Sequence, residues 1–353
     1  MSDTFWDKIQ SWLKSDAQHY ISHEIPIERT DLPGPVESIK PMRDYLRIWL
    51  DDMFLAKDKK WFVEQFPAVH TGIELEFGGK PVRVTHVTDG TGQPGPGVFE
   101  SYALTDLMPF KGGKVKIQSA LIALKGRDYV SETIGILKNF SGLVGAPLSQ
   151  TLQIADKVNA GMQSLLQKGT GGMVFGFHRE YVADDGRGGS VLKPGYRALI
   201  LASTKDVDPA RLSVKGGRLH YERQNGTHEP LEGFDYMLLR IEGRSERDNW
   251  RMPNIEEPLN EAIAAAIQGE QDKADDFLKA ALVVVWQSPD LAVHDRRRVA
   301  DAIKAELAEI AQTGHGVTPG AVPTLEDIMR VRAMTVSQAL SEPALTLEEI
   351  VNS

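Results

Sequence analysis

Three pairs of adjacent glycines constrain this chain more than any other feature, because each is followed by Lys or Arg and lies between short apolar alternations. They read FGGKPVRV at 77–84, FKGGKVKI at 110–117 and VKGGRLHY at 214–221. Ile73, Leu75 and Phe77 precede the first pair, and Val82 and Val84 follow it. Residues 107–110 lead into the second, with Val115, Ile117 and an apolar run to Leu124 after it. Leu212 and Val214 precede the third, with Leu219 and Tyr221 beyond. Strand, two glycines, strand is the pattern of a β-hairpin whose type I′ turn needs positive φ at both central residues. The flanking cations then do no more than keep an exposed turn wet. A phosphate cradle would need G-x-x-x-x-G-K-[ST] opening a helix, whose N-terminal N–H groups converge on the anion. Here a strand follows each pair. GTGQPG at 90–95 fails likewise as a dinucleotide fingerprint, since VFESYAL follows as extended chain and Pro94 and Pro96 mark a loop.

Around these turns the sequence predicts an α+β fold. An antiparallel β-sandwich or barrel-like core carries an inserted helical hairpin, with N-terminal helices and a C-terminal helical bundle. Residues 1–68 read as an N-terminal helical segment. Phe5, Ile9, Trp12 and Leu13 recur at helical spacing, and after the joint PIERTDLPGPVESIKP so do Tyr45, Trp49, Met53 and Phe54. Asp3, Asp7 and Asp16 interleave with lysines on the first helix, which favours packing on the body over lying on a membrane. Residues 69–250 are the β-rich domain, with further strands in MVFGFHREYV, YRALILAS and DYMLLRIEG. Its insertion, 127–168, opens on Asp128 before Val130, Ile134 and Leu137, and breaks at SGLVGAP. It resumes from Pro147 with an apolar stripe of Leu148, Leu152, Ala155, Val158, Met162 and Leu165.

Residues 251–312 predict three helices near 257–268, 272–287 and 289–311. Their apolar positions are Leu259, Ile263 and Ile267; Phe277, Leu278, Ala281 and Val285; and Val299, Ile303, Leu307 and Ile310. The last part, 313–353, is the linker TGHGVTPGAVP followed by tail helices, one opening on Thr324/Asp327, which resembles a capping box with Asp in place of Glu, and one on Thr346/Glu349, which matches it fully. A linker followed by short amphipathic helices is the layout of a docking tail, or of a tail packed on its own domain.

Composition narrows the function. The 353 residues are 41% hydrophobic and 25% charged, which is globular, and the formal charge of −9 gives no general attraction to polyphosphate or anionic lipid. DRRRV at 295–299 reads as a solvated helix face. The absence of cysteine removes disulfides, thiolate zinc sites and cysteine nucleophiles. The N-terminus lacks the features of a secretory signal, and the longest uncharged run, 139–155, is too short and polar to span a bilayer. The expectation is a soluble, cytoplasmic protein.

The sequence assigns no residue to catalysis, to a cofactor or to a metal. His19 and His23 stand at i, i+4, yet HYISHE matches no metalloprotease pattern and supplies no further ligands. Asp184, Asp185, Asp206 and Asp208 in acidic loops would offer carboxylates to calcium if they met, or serve as ordinary turn residues. Ser11 and Lys14 form an S-x-x-K without its companion motifs. His220, His228, Glu229 and Asp235 cluster around the third hairpin as an acid–base candidate. The expected function is therefore a non-enzymatic intracellular adaptor or assembly protein that contacts other proteins, with the C-terminal tail as the candidate surface, and with no cofactor and no nucleic acid. The alternatives are a membrane-active, pore-forming-like effector using 127–168, and a hydrolase of unknown substrate.

Overall fold

The computed structural model describes residues 7, 9, 11–13, 20–56, 59–60, 63–77, 80–89, 101–125, 171–184 and 188–314. The expected helical hairpin at 127–168 and the tail from 315 lie outside them. The chain divides into two compact units, Met1–Ile255 with Val284–Ala300, and Glu256–Val283 with Asp301–Ser353.

The first unit holds antiparallel sheets. Its strands are β1 (Ile21–Ile25), β2 (Tyr45–Phe54), β3 (Lys59–Lys60), β4 (Val63–Phe77), β5 (Lys80–Asp89), β6 (Tyr102–Ala103), β7 (Met108–Pro109), β8 (Lys114–Lys125), β9 (Gly171–Val182), β10 (Gly195–Ile200), β11 (Leu212–Lys215), β12 (Arg218–Glu222), β13 (His228–Pro230) and β14 (Tyr236–Arg244). One sheet runs β1-β10-β14-β2-β6, with β7 also on β2; a second runs β3-β4-β8-β9, with β5 also on β4; a third is β11-β12-β13. Among the described residues each sheet is open, and none closes into a barrel.

One buried cluster draws Leu46, Ile48 and Leu50 of β2 and Met237 and Leu239 of β14 together with Val69 and Ile73 of β4, Ile117 and Leu121 of β8 and Phe175 and Phe177 of β9. Each such side chain contributes about 1.5–3 kcal/mol on leaving water. A second cluster joins the other face of β10 and β14 to Leu212, Val214 and Leu219 of the small sheet.

Tyr45–Phe54 is a strand, which corrects the expected second helix and places the 68/69 boundary inside β4. Leu46, Ile48 and Leu50 alternate with Arg47, Trp49 and Asp51, and this period of 2 matches a sheet face. The i, i+4 spacing of Tyr45, Trp49 and Met53 is incidental to it. The expected first helix is present at Asp7, Ile9 and 11–13. Ile9 is fully buried over Gly176, and Trp12 meets Tyr20 edge-on with ring centroids 5.6 Å apart.

Of the glycine pairs, the first and third join paired strands, with Phe77 opposite Lys80 and Lys215 opposite Arg218. Gly216 and Gly217 have φ of 57° and 71°, as a type I′ turn requires. The second pair makes no hairpin. β7 before it pairs with β2 and β8 after it pairs with β4 and β9, so Gly112 and Gly113 carry the chain from one sheet to the other.

Three helices follow: α1 (Pro253–Ile267), α2 (Gln271–Gln287) and α3 (Asp295–Gly314). In the second unit Leu259, Ala262 and Ala265 of α1, Ala274 and Ala281 of α2, and Ile303 and Leu307 of α3 are buried. Ala274 takes the core position expected of Phe277, which is exposed. Gly269, at φ 76°, ends α1 with Glu270 N–H donating to Ala265 O and Gly269 N–H to Ala266 O, the Schellman pattern.

Candidate functional site

Four polar groupings in the first unit are built well enough to ask what they do. The largest surrounds Arg247, whose side chain is completely buried. Its guanidinium pairs with Asp106 and donates to Leu107 O at 2.7 Å, while its own N–H donates to Asp295 Oδ2 at 3.0 Å. Asp295, equally buried, also accepts from Tyr45 Oη at 2.9 Å and from Arg298 Nε at 2.6 Å. Burial pushes the Tyr45 phenol above its ordinary value. The Ala292 N–H opposes this, and the Asp295 carboxylate adds to it. The phenol therefore stays protonated and donates. These side chains tie β2, the 106–107 segment, residue 247 and the start of α3 together.

The arginines of DRRRV were expected to form a solvated face, and two of them, Arg296 and Arg298, are only partly exposed and are hydrogen-bonded. Arg296 donates to the Trp286 and Ser288 carbonyls at the end of α2, both at 2.7 Å, and Arg298 is bound to Asp295. Cations at a helix C-terminus satisfy carbonyls that have no intrahelical donor.

The second grouping lies on β2, where a bulge opposite Leu238/Leu239 leaves both Asp51 and Asp52 buried. Asp51 receives a bidentate pair from Arg240, with Nε at 2.5 Å and Nη2 at 3.1 Å, and Arg240 lies 4.7 Å from the Trp49 ring centroid. Trp49 Nε1 donates to Glu242 at 2.6 Å. Burial raises the Glu242 carboxyl, but hydrogen bonds from Trp49 and Arg244 and the Arg244 and Arg47 charges outweigh it, so the group sits below the usual range. Asp52 accepts from Leu219 N–H at 3.0 Å and Tyr236 Oη at 2.8 Å. Burial raises it above the usual carboxylate range against those two donors. No spacing rule in the sequence marks Asp52, whose partners lie 167 and 184 positions away.

The third grouping is on the small sheet and divides the residues expected there. His228 Nδ1 lies 3.0 Å from Ser213 Oγ, and His220 stands opposite Ser213 in the ladder. Glu229 accepts from Arg223 at 2.9 Å, and Asp235 accepts from Ala56 N–H at 2.7 Å. The structure therefore brings Ser213 and His228 together and keeps Glu229 and Asp235 out of the pair. Ser213 was missed because its partner arrives from two strands away. It is only 3% exposed, which leaves its hydroxyl without an open approach.

The fourth is a cleft of about 360 Å³ at the end of β1, lined by Glu24, Ile25, Pro26, Ile27, Glu28, Lys193, Pro194 and Gly195. The remaining candidates are dispersed. His23 lies in β1 rather than on a helix, and His19, Lys14 and Asp185 are outside the described residues. Asp206 accepts from Ser203 Oγ at 2.6 Å and Asp208 from Ala210 N–H at 3.0 Å, both in local turns, and Asp184 is exposed. Among the described residues no three His, Asp or Glu side chains gather to hold a metal, and no helix is long and apolar enough to cross a membrane. Neither a family model, nor a curated protein, nor a solved structure matches this chain.

Proposed function

We propose that this chain is a non-enzymatic, cytoplasmic adaptor or assembly protein, built on a β-sandwich of the two large sheets and a bundle of the three helices, that acts through contacts with other proteins. The observation that carries the reading is where its large apolar side chains meet water. Among the described residues, Ile267, Phe277 and Val283 are exposed in the second unit, and Trp286 and Val293 in the first. Tryptophan is enriched at interface centres, and Trp286 leaves half of its surface in water. The test is cross-linking with mass spectrometry from the native host. It compares the full chain, a Trp286→Ala variant, and a chain ending at Gly314. The partner is expected to be lost with Trp286→Ala or with the tail while both variants stay folded by circular dichroism. Retention of the same cross-links by both would sink the reading.

A membrane-active role is the second reading. It is favoured by the pairing of β8 with β9 from Lys114↔Val182 to Leu124↔Gly171, which makes 126–170 the connection at one end of a single hairpin. Dye release from liposomes by intact or proteolysed protein tests it, and no release under either condition removes it.

A further inference from the structure

The loop between β12 and β13 holds a reactive pair of residues. Asn225 is the one asparagine in the chain followed by glycine, and residues 223–227 are all exposed. Arg223 N–H donates to Thr227 O at 2.8 Å and closes the loop. Within it Asn225 Oδ1 accepts twice from Thr227, from the backbone N–H at 3.0 Å and from the hydroxyl at 2.7 Å. An Asx turn of this kind curls the side chain back along its own main chain, which sets Cγ beside the nitrogen of Gly226. Gly226 has φ of 79°, and beyond its chain neighbours no atom lies within 4 Å of where a Cβ would stand, so no other residue crowds that approach. Its N–H donates to Arg223 O at 3.0 Å in the plane of the peptide, while Cγ meets the face of that plane.

We propose that Asn225 is a self-modification site, at which the turn converts asparagine to aspartate and isoaspartate. The inference stands apart from the adaptor reading. Solvent hydroxide takes the Gly226 N–H proton when the bond to Arg223 O opens. The nitrogen attacks Asn225 Cγ, and a C–N bond forms as the C=O electron pair moves onto Oδ1. The two Thr227 donors hold that oxyanion, as donors aimed at developing charge do in acyl transfer. The pair then returns, the Cγ–Nδ2 bond breaks, and Nδ2 leaves as ammonia with a proton from water, which gives the hydroxide back. A second water adds to either carbonyl of the five-membered imide. Opening on one side leaves aspartate; opening on the other routes the main chain through the former side chain as isoaspartate. Either product adds a negative charge to the turn, and isoaspartate lengthens the loop closed by Arg223 and Thr227 by one carbon. Thr227 is the positioning residue.

The test incubates the full chain at pH 7 and pH 8.5 and follows the tryptic peptide 224–240 by chromatography and mass spectrometry, which separate the asparagine, aspartate and isoaspartate forms. Conversion at 225 is expected to be at least tenfold faster than at any other asparagine of the chain, and faster at the higher pH because hydroxide is the base. Thr227→Val keeps the N–H and loses the hydroxyl, so it should slow conversion at least threefold, less than a donor is worth in a water-excluded site because this turn is exposed. Thr227→Ser should restore the parent rate, and in urea, where the turn is gone, Thr227→Val and the parent should convert alike. No product at 225, a rate equal to that of the other asparagines or independent of pH, no slowing in folded Thr227→Val, the same slowing in urea, or no restoration by Thr227→Ser overturns the proposal.

Discussion

Tyr45 Oη and Asp295 Oδ2 are joined by a 2.9 Å hydrogen bond across 250 positions of sequence, and the same hydroxyl accepts the Ala292 N–H at 2.8 Å. One phenol thus fixes the first residues of β2 to the segment that opens α3. Replacing it by Phe leaves a buried carboxylate and a buried N–H each short of a partner. Tyr45→Phe should cost about 1–3 kcal/mol in urea unfolding with the m-value unchanged. A loss of only a few tenths would show that water replaces the hydroxyl.

Arg247 and Asp106 form the companion test. Removing Arg247 takes the main partner from Asp106, which keeps only the longer 3.4 Å contact with Arg47 Nη2 and a 3.5 Å one with Asn249, so Arg247→Met should cost about 3 kcal/mol. Arg247→Met with Asp106→Leu should cost less than the sum of the single changes, because the interaction between the two is counted once in the double variant and twice in the sum. Additive effects in the double-mutant cycle would contradict direct pairing.

Asp52 makes stability depend on pH in an unusual direction. Its folded value lies above the unfolded 3.8, so its favourable contribution is complete below that value and is lost as pH rises through the folded one. Asp52→Asn should therefore gain stability relative to the parent on going from pH 4 to pH 7, read by parallel urea titrations. Asp52→Ala should lose at both, because Leu219 N–H and Tyr236 Oη keep no acceptor.

His23 works the other way. Burial first, and the Arg197 charge second, lower its value from 6.5, so its contribution is present above 6.5 and fades as pH falls through the folded value. His23→Gln should flatten that decline, a change readable as a smaller shift in melting temperature between pH 7 and pH 5.

Gly176 receives Ile9, and a Cβ added there would lie 2.8 Å from Ile9 Cγ2. Gly176→Val should displace the N-terminal helical residues while leaving the sheet folded. Faster trypsin cleavage within residues 1–19 would report it, and an unchanged digestion pattern would show that the helix is held elsewhere.

Local rules were enough for several elements. Gly216-Gly217 encodes its own turn, because glycine reaches positive φ at two successive residues without a Cβ clash. Gly269 ends α1, and α2 covers the expected 272–287 with one residue added at its start, since helix periodicity and capping are written within a few residues. Where two local readings compete, the fold arbitrates. Tyr45–Phe54 carries both a helical and a strand period, and only the apolar faces of β14 and β4 decide for the strand. Gly112-Gly113 has the letters of a hairpin but joins two sheets, because pairing is settled by β2, β4 and β9, remote in sequence. Ser213 with His228, Tyr45 with Asp295, and the cleft beside Pro26 belong to the same class. Turn and helix propensity are short-range quantities that a sequence displays directly. Burial of a carboxylate depends on which distant segments pack around it.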